Sequence, residues 1–112
     1  MPHVICQFEE IASPAAEAGG PQARYARVRL QHAGKFNAMS RAMWVQLRDV
    51  FMALQEQTRT ANPVRCVLIE GADGHFCAGG DIAEFPSFRF DADSLRAFHE
   101  EEVWGALAAL LA

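Results

Sequence analysis

The stretch Cys66-Val67-Leu68-Ile69-Glu70-Gly71-Ala72-Asp73-Gly74-His75-Phe76-Cys77-Ala78-Gly79-Gly80-Asp81-Ile82 decides how this chain is read. Its first four residues are apolar and come after Pro63 and Arg65, which predicts a short buried strand. Gly71, Asp73 and Gly74 then end the strand and turn the chain. Phe76 and Cys77 lead into Ala78-Gly79-Gly80, and Asp81 stands where a helical turn begins. A strand, a turn and then small residues bring bare backbone close to whatever binds there. Glycine leaves its amide uncovered and accepts φ > 0. Consecutive uncovered N–H groups aimed at one point stabilise an oxygen that becomes anionic, and losing one such donor costs roughly 3–4 kcal/mol of transition-state stabilisation. By local chemistry alone, Ala-Gly-Gly also describes a tight turn, the commoner use of a glycine pair.

Upstream of this stretch, Ser40 is placed to cap a helix. Met43, Leu47, Val50, Phe51 and Leu54 form one apolar stripe on it, widened by Trp44. The helix is expected to end near Thr58, and Arg59 to Val64 to connect it to the strand through Asn62-Pro63. Earlier still, Tyr25 to Leu30 alternates, with Ala26, Val28 and Leu30 toward a core and Arg27 and Arg29 toward water. Val4 to Ile11 reads as a first strand. Ser13 to Gln22, rich in Pro, Ala and Gly, reads as a loop joining the two strands as a hairpin.

Downstream, Glu84 to Phe90 carries Phe85, Pro86, Phe88 and Phe90, which either line an apolar pocket or serve plain packing. Asp91 or Asp93 caps a last helix from Ser94 to about Leu111. Its apolar side is Leu95, Phe98, Trp104, Leu107 and Leu111, and Glu100-Glu101-Glu102 is a solvated face. The expected order is strand, strand, helix, strand, helix, an α/β arrangement. The last residues, Ala106 to Ala112, are apolar and carry no C-cap. The sequence is therefore expected to be a fragment cut within its last helix, or to be completed by a second chain.

With 112 residues the chain is sized for one domain. Hydrophobic residues at 51% and charged ones at 21% match ordinary globular proteins. A net charge of −4, with no run of Lys or Arg, argues against a nucleic-acid partner. No apolar run approaches the ~20 residues of a membrane span, and the first residues do not have the pattern of a secretory signal. Of the three cysteines, Cys6 and Cys66 lie in apolar runs and are expected to be buried thiols, which suits a reducing cytoplasm. His75, Cys77 and Asp81 do not make a convincing nucleophile cluster or metal site: the first lacks a positioned base, the second enough ligands.

Phe76-Cys77-Ala78-Gly79-Gly80-Asp81-Ile82, preceded by the strand and Gly71, resembles the signature loop of the crotonase (enoyl-CoA hydratase/isomerase) superfamily. Gly34-Lys35-Phe36-Asn37-Ala38-Met39-Ser40 resembles that family's upstream Asn-Ala segment. The two stand in the family's order and at its spacing, with a helix between. The resemblance runs from about Tyr25 onward. It implies a crotonase-like ββα spiral, with residues 1–112 forming the N-terminal part of the domain.

It also implies an acyl-CoA thioester as substrate, its enolate held in a backbone oxyanion hole. Gly80 would give the first N–H of that hole. Lys35, Phe36, Ala38, Ala78, Gly79, Asp81 and Ile82 would meet the coenzyme A or the substrate, with Asp81 in a structural role. No cofactor would be permanently bound, coenzyme A arriving as part of the substrate, and no metal. The complete protein would be a homo-oligomer, a trimer or hexamer. The departure is that the family's second oxyanion donor and its acid/base carboxylates come from segments beyond this sequence. Glu84, Glu100, Glu101 and Glu102 do not fall on the catalytic positions. This leaves two expectations. One is an enzyme of the enoyl-CoA hydratase/isomerase type, on a scaffold that also hosts decarboxylases, hydrolases, dehalogenases and carbon–carbon lyases. The other is a non-catalytic truncated fragment or assembly module, and the 112 residues alone are expected to be inactive.

Overall fold

Alternation along Arg24–Gln31 puts Ala26, Val28 and Leu30 on one face, and all three are buried in the computed structural model, which describes residues 2–11, 19 and 23–112. This strand, β2, is the centre of a three-stranded sheet. It pairs antiparallel with β1 (His3–Glu10), with Val4 opposite Leu30 and Cys6 opposite Val28. It pairs parallel with β3 (Val64–Gly71), with Ala26 opposite Val67 and Val28 opposite Ile69. The loop expected over Ser13 to Gln22 lies outside the described residues, Gly19 apart.

Parallel neighbours need a crossover, and here it is α1 (Arg41–Gln57). Ser40 caps it, its Oγ accepting from the Met43 N–H at 3.1 Å. Thr58 closes it, and Met43, Leu47, Phe51 and Leu54 are buried against the sheet. Beyond β3 come a 3-10 turn (Ala72–Gly74), an extended loop, and a 3-10 helix (Ile82–Ser87). The chain ends with α2 (Ala92–Ala97), a π-helical turn (Phe98–Val103) and α3 (Trp104–Leu111). Asp91 caps α2, accepting from the Ser94 N–H at 2.9 Å.

Three expectations are corrected. Cys66 is exposed, and Leu68 is 49% exposed, because only one face of β3 is covered among the described residues. Val64, Val67 and Ile69 take that face. Arg27 and Arg29 do not simply face water: they are half-buried and fork onto Glu70 of β3 at 3.0 and 2.9 Å. The last helix is not continuous. The π turn widens the coil and rotates the residues after it, so α3 presents Ala106, Ala109 and Leu110 to the core rather than Trp104, Leu107 and Leu111. Gln55 of α1 fastens α3 by donating to the Ala109 carbonyl at 3.0 Å.

The end of β3 is where this frame meets the glycine-containing loop. At Gly71 the returning chain crosses so closely that a Cβ would lie 2.7 Å from Phe76 Cα and run into the His75 and Phe76 carbonyls. Gly71→Ala must therefore push the loop away. We expect it to lower stability by about 1–3 kcal/mol, the usual cost of overpacking. Urea denaturation monitored by circular dichroism measures this, and an unchanged midpoint would show that the loop yields freely.

Candidate functional site

Two backbone segments leave the same end of the sheet, because β2 and β3 are parallel. After β2, the turn at Gly34-Lys35-Phe36-Asn37 is left-handed at three positions: Gly34 (φ 79), Phe36 (φ 49) and Asn37 (φ 59). Asn tolerates this region better than most residues, and its amide carries both donors and an acceptor. Asn37 uses both. Its Oδ1 accepts from the His32 N–H at 3.0 Å. Its Nδ2 donates to the carbonyls of Ala72 at 2.8 Å and His75 at 2.9 Å, on the far side of the site. At 3% exposure, this amide ties the two segments together out of water.

The backbones then run side by side. The Ala78 N–H donates to the Phe36 carbonyl at 3.1 Å, and the Met39 N–H to the Gly79 carbonyl at 2.7 Å. The Asp81 N–H donates to the Met39 carbonyl at 2.9 Å. This is a parallel bridge between Met39 and Gly80. In such a bridge, Met39 bonds to the residues on either side of Gly80, so the N–H and C=O of Gly80 point away from it. Among the described residues no hydrogen bond uses the Gly80 N–H.

Gly80 lines two cavities. One, of about 380 Å³, is shared with Lys35, Ala38, Ala78, Asp81, Ile82 and Ala83. The other, of about 350 Å³, has walls from the rings of Trp44, Phe85, Phe88 and Phe98, with Arg89 and His99 also contributing. Phe88 stacks on Phe98 with centroids 4.1 Å apart and meets Phe85 edge-on at 5.9 Å. Phe90, grouped with these rings in the sequence, is 83% exposed and is not in this wall.

Asp81 is 8% exposed and caps the 3-10 helix, accepting from the Ala83 N–H at 3.1 Å. It also accepts from Lys35 Nζ at 3.0 Å. That hydrogen bond to Lys35 holds the Asp81 carboxyl below the usual aspartate range; burial opposes the effect and the Ala83 N–H adds to it. The Lys35 ammonium is thus already paired at the cavity wall.

Of the residues the resemblance singled out, Lys35, Ala38, Ala78, Gly80, Asp81 and Ile82 come together around one cavity. Phe36 lies outside it, 62% exposed, with the His75 ring edge-on at 4.7 Å. Gly79 does not line it either. With φ 109, it turns its carbonyl to Met39, while its N–H meets Cys77 Sγ at 3.4 Å. Among the described residues no three His, Cys, Asp or Glu side chains could jointly hold a metal ion. The clamp by Asn37 and the placing of Trp44, Arg89 and His99 in the aromatic wall are not legible in the sequence. The one available signal for the clamp is an Asn after Gly-Lys-Phe in a tight turn.

The sequence model of the enoyl-CoA hydratase/isomerase family matches residues 25–106. The chain belongs to that family. Solved structures of the enoyl-CoA hydratase/isomerase group share its α/β, crotonase-like fold. Pseudomonas aeruginosa AtuE is 31% identical with a TM-score of 0.60, over 83% of this chain and 31% of its own. An enoyl-CoA hydratase/isomerase family protein of Hyphomonas neptunium is 27% identical with a TM-score of 0.67, over 93% of this chain and 34% of its own. P. aeruginosa OdaA is 25% identical with a TM-score of 0.60, over 93% and 34%. The chain thus spans about a third of the length of these relatives. No curated protein matches it.

Two outcomes test the construction of this family member's loop pair. Asn37→Ala strands one donor and two carbonyls and should cost about 2–4 kcal/mol. Asn37→Gly restores the left-handed backbone but not the clamp, so it should recover only a small part of the loss in urea melts. For Asp81 the folded pKa is depressed. Its stabilising contribution is therefore complete above the ordinary aspartate value and is lost as pH falls through the lower, folded value. The melting-temperature gap between wild type and Lys35→Met should be full at neutral pH, shrink below the ordinary aspartate range and vanish once folded Asp81 is protonated. A gap independent of pH would mean that the ion pair is not its source.

Proposed function

We propose that this chain supplies the first oxyanion donor and the coenzyme A side of a site that acts on acyl-CoA thioesters by hydratase/isomerase chemistry. The observation that carries this reading is the Gly80 N–H, free of internal bonds and held at a residue shared by two cavities. In this reading the thioester carbonyl lies over Gly80. The acyl chain enters the aromatic cavity, and the pantetheine passes Ala78, Asp81 and Ile82, with Lys35, Phe36 and Ala38 flanking the nucleotide. Coenzyme A comes and goes with the substrate.

The chemistry is set by charge. Taking a proton from the carbon next to a thioester, or adding water one carbon further on, drives negative charge onto the carbonyl oxygen. An N–H fixed beforehand stabilises that oxygen without reorganising. Gly80 is held by the two bonds that Met39 makes to its neighbours. Aromatic walls lower the local dielectric and strengthen the interaction.

Proton transfer is a separate matter. Among the described residues no carboxylate lines the aromatic cavity. Asp81 is paired with Lys35, Glu84 accepts from the Arg41 N–H at 2.7 Å, and Glu102 is paired with Arg41 at 2.9 Å. This favours a second reading, in which these residues form a thioester-binding module without the acid and base.

The decisive experiment removes the Gly80 N–H while leaving every side chain in place. Ligation at Cys77 allows a chain in which the amide between Gly79 and Gly80 is an ester. The unmodified chain should bind acetyl-CoA more tightly than millimolar and shift the ¹³C-labelled thioester carbonyl stretch to lower wavenumber. The ester chain should lose that shift. A shift that persists would overturn the oxyanion assignment. Turnover of crotonyl-CoA by the unmodified chain would overturn the module reading.

A further inference from the structure

We propose that the acyl group bound beside Gly80 carries an anion at its far end, and that Arg89 selects it: the substrate class is a short dicarboxylic acyl thioester. The inference rests on the thioester lying over Gly80, as in the proposed function, and names what the other end of the cavity is built to meet.

Gly80, Phe85 and Arg89 stand in sequence along one wall. A Cβ on Gly80 would lie 3.5 Å from Cε1 of Phe85. The guanidinium carbon of Arg89 lies 4.6 Å from the centre of that same ring. Oxyanion donor and cation are therefore one aromatic ring apart, a span that a chain of a few carbons covers. The Arg89 backbone is pinned, its N–H donating to the Phe85 carbonyl at 2.7 Å.

The charge of Arg89 is not neutralised from within. The nearby carboxylates are engaged elsewhere: Glu84 on the Arg41 N–H, Glu102 on the Arg41 guanidinium, Asp91 on the N–H and hydroxyl of Ser94. Among the described residues no carboxylate pairs with Arg89. The contact with the Phe85 ring uses none of the guanidinium N–H groups, and such groups fork onto a carboxylate in two parallel bonds. An alkyl chain ending there would face a cation with nothing to offer it. A carboxylate would complete the pair. Because Arg89 is exposed, water screens the interaction, so the expected preference is modest rather than absolute.

Calorimetry on the 112-residue chain tests this with glutaryl-CoA and pentanoyl-CoA, which have the same acyl length and end in a carboxylate or a methyl. Wild type should favour glutaryl-CoA by about two- to fivefold, less at high salt. Arg89→Gln should bring the ratio to about one, and Arg89→Lys should keep part of it. The Arg89 side chain makes no hydrogen bond among the described residues, so these variants lose at most its weak, exposed contact with Phe85, and should stay folded at the temperature of the titration. Equal affinities in wild type would overturn the selectivity and leave the thioester reading standing. A preference that survives in Arg89→Gln would overturn the role of Arg89. If neither thioester binds better than free coenzyme A, the reading of Gly80 itself fails.

Discussion

One buried amide holds the site together. The Asn37 side chain bonds to three backbone groups: one in its own turn, one in the turn after β3 and one in the loop beyond it. Without it, the two segments would meet through the ladder from Phe36 to Met39, the half-exposed Lys35–Asp81 pair and the Phe36–His75 ring contact. The geometry of Gly80 depends on that ladder being in one register. A slip of one residue would turn the Gly80 N–H onto Met39 and expose a neighbour instead. The clamp therefore fixes which amide is free, a stronger constraint than simply keeping two loops close.

The sheet makes such a clamp possible. Parallel β2 and β3 deliver their C-terminal ends to the same edge, where ligand sites of open α/β sheets commonly form. The crossover helix α1 starts directly after the first segment, with Ser40 capping it one residue past the bridge at Met39. Helix, bridge and clamp thus share a stretch of four residues, Asn37 to Ser40, all buried. The close approach at Gly71 is the counterpart on the other segment, since only a residue without a side chain lets the loop fold back over the end of β3.

The parts of the fold legible in the sequence are the local ones. The Ser40 cap, the stripe on α1 and the alternation along β2 are encoded by neighbours within one or two turns, and each forms as its pattern predicts. The small residues around Gly80 are visible too. That the amide of Gly80 is free is not, because it depends on Met39, forty-one positions earlier, taking its neighbours. Asn37 reads locally as a turn residue, while its partners at Ala72 and His75 are distant in the chain. Cys66 and Leu68 mislead for a related reason: an apolar run shows that a strand can be covered on both faces, not that it is. The π turn at Phe98–Val103 has no sequence marker of its own, so periodicity cannot place the face of α3.

The electrostatics of the site separate two tasks that thioester enolate chemistry must combine. Stabilising an oxyanion needs donors that do not move, and in the proposed reading the donor is the Gly80 backbone amide, bracketed by the hydrogen bonds of Met39 to its neighbours. Moving a proton needs a carboxylate whose affinity for it can be matched to the reaction. Asp81 and Glu102 are bound to cations, and Glu84 accepts a backbone N–H. The depressed carboxyl of Asp81 shows the consequence: the Lys35 bond that makes it a firm cap makes it a poor base. Arg41 is the hinge of this arrangement, since it receives both Glu84 and Glu102 while its guanidinium lies 5.3 Å over the Phe88 ring. The carboxylates thereby build the aromatic wall instead of entering it. Among the described residues the aromatic cavity is lined by Gly80, whose N–H takes no internal bond, and by Arg89, with which no carboxylate pairs, and not by the carboxylates.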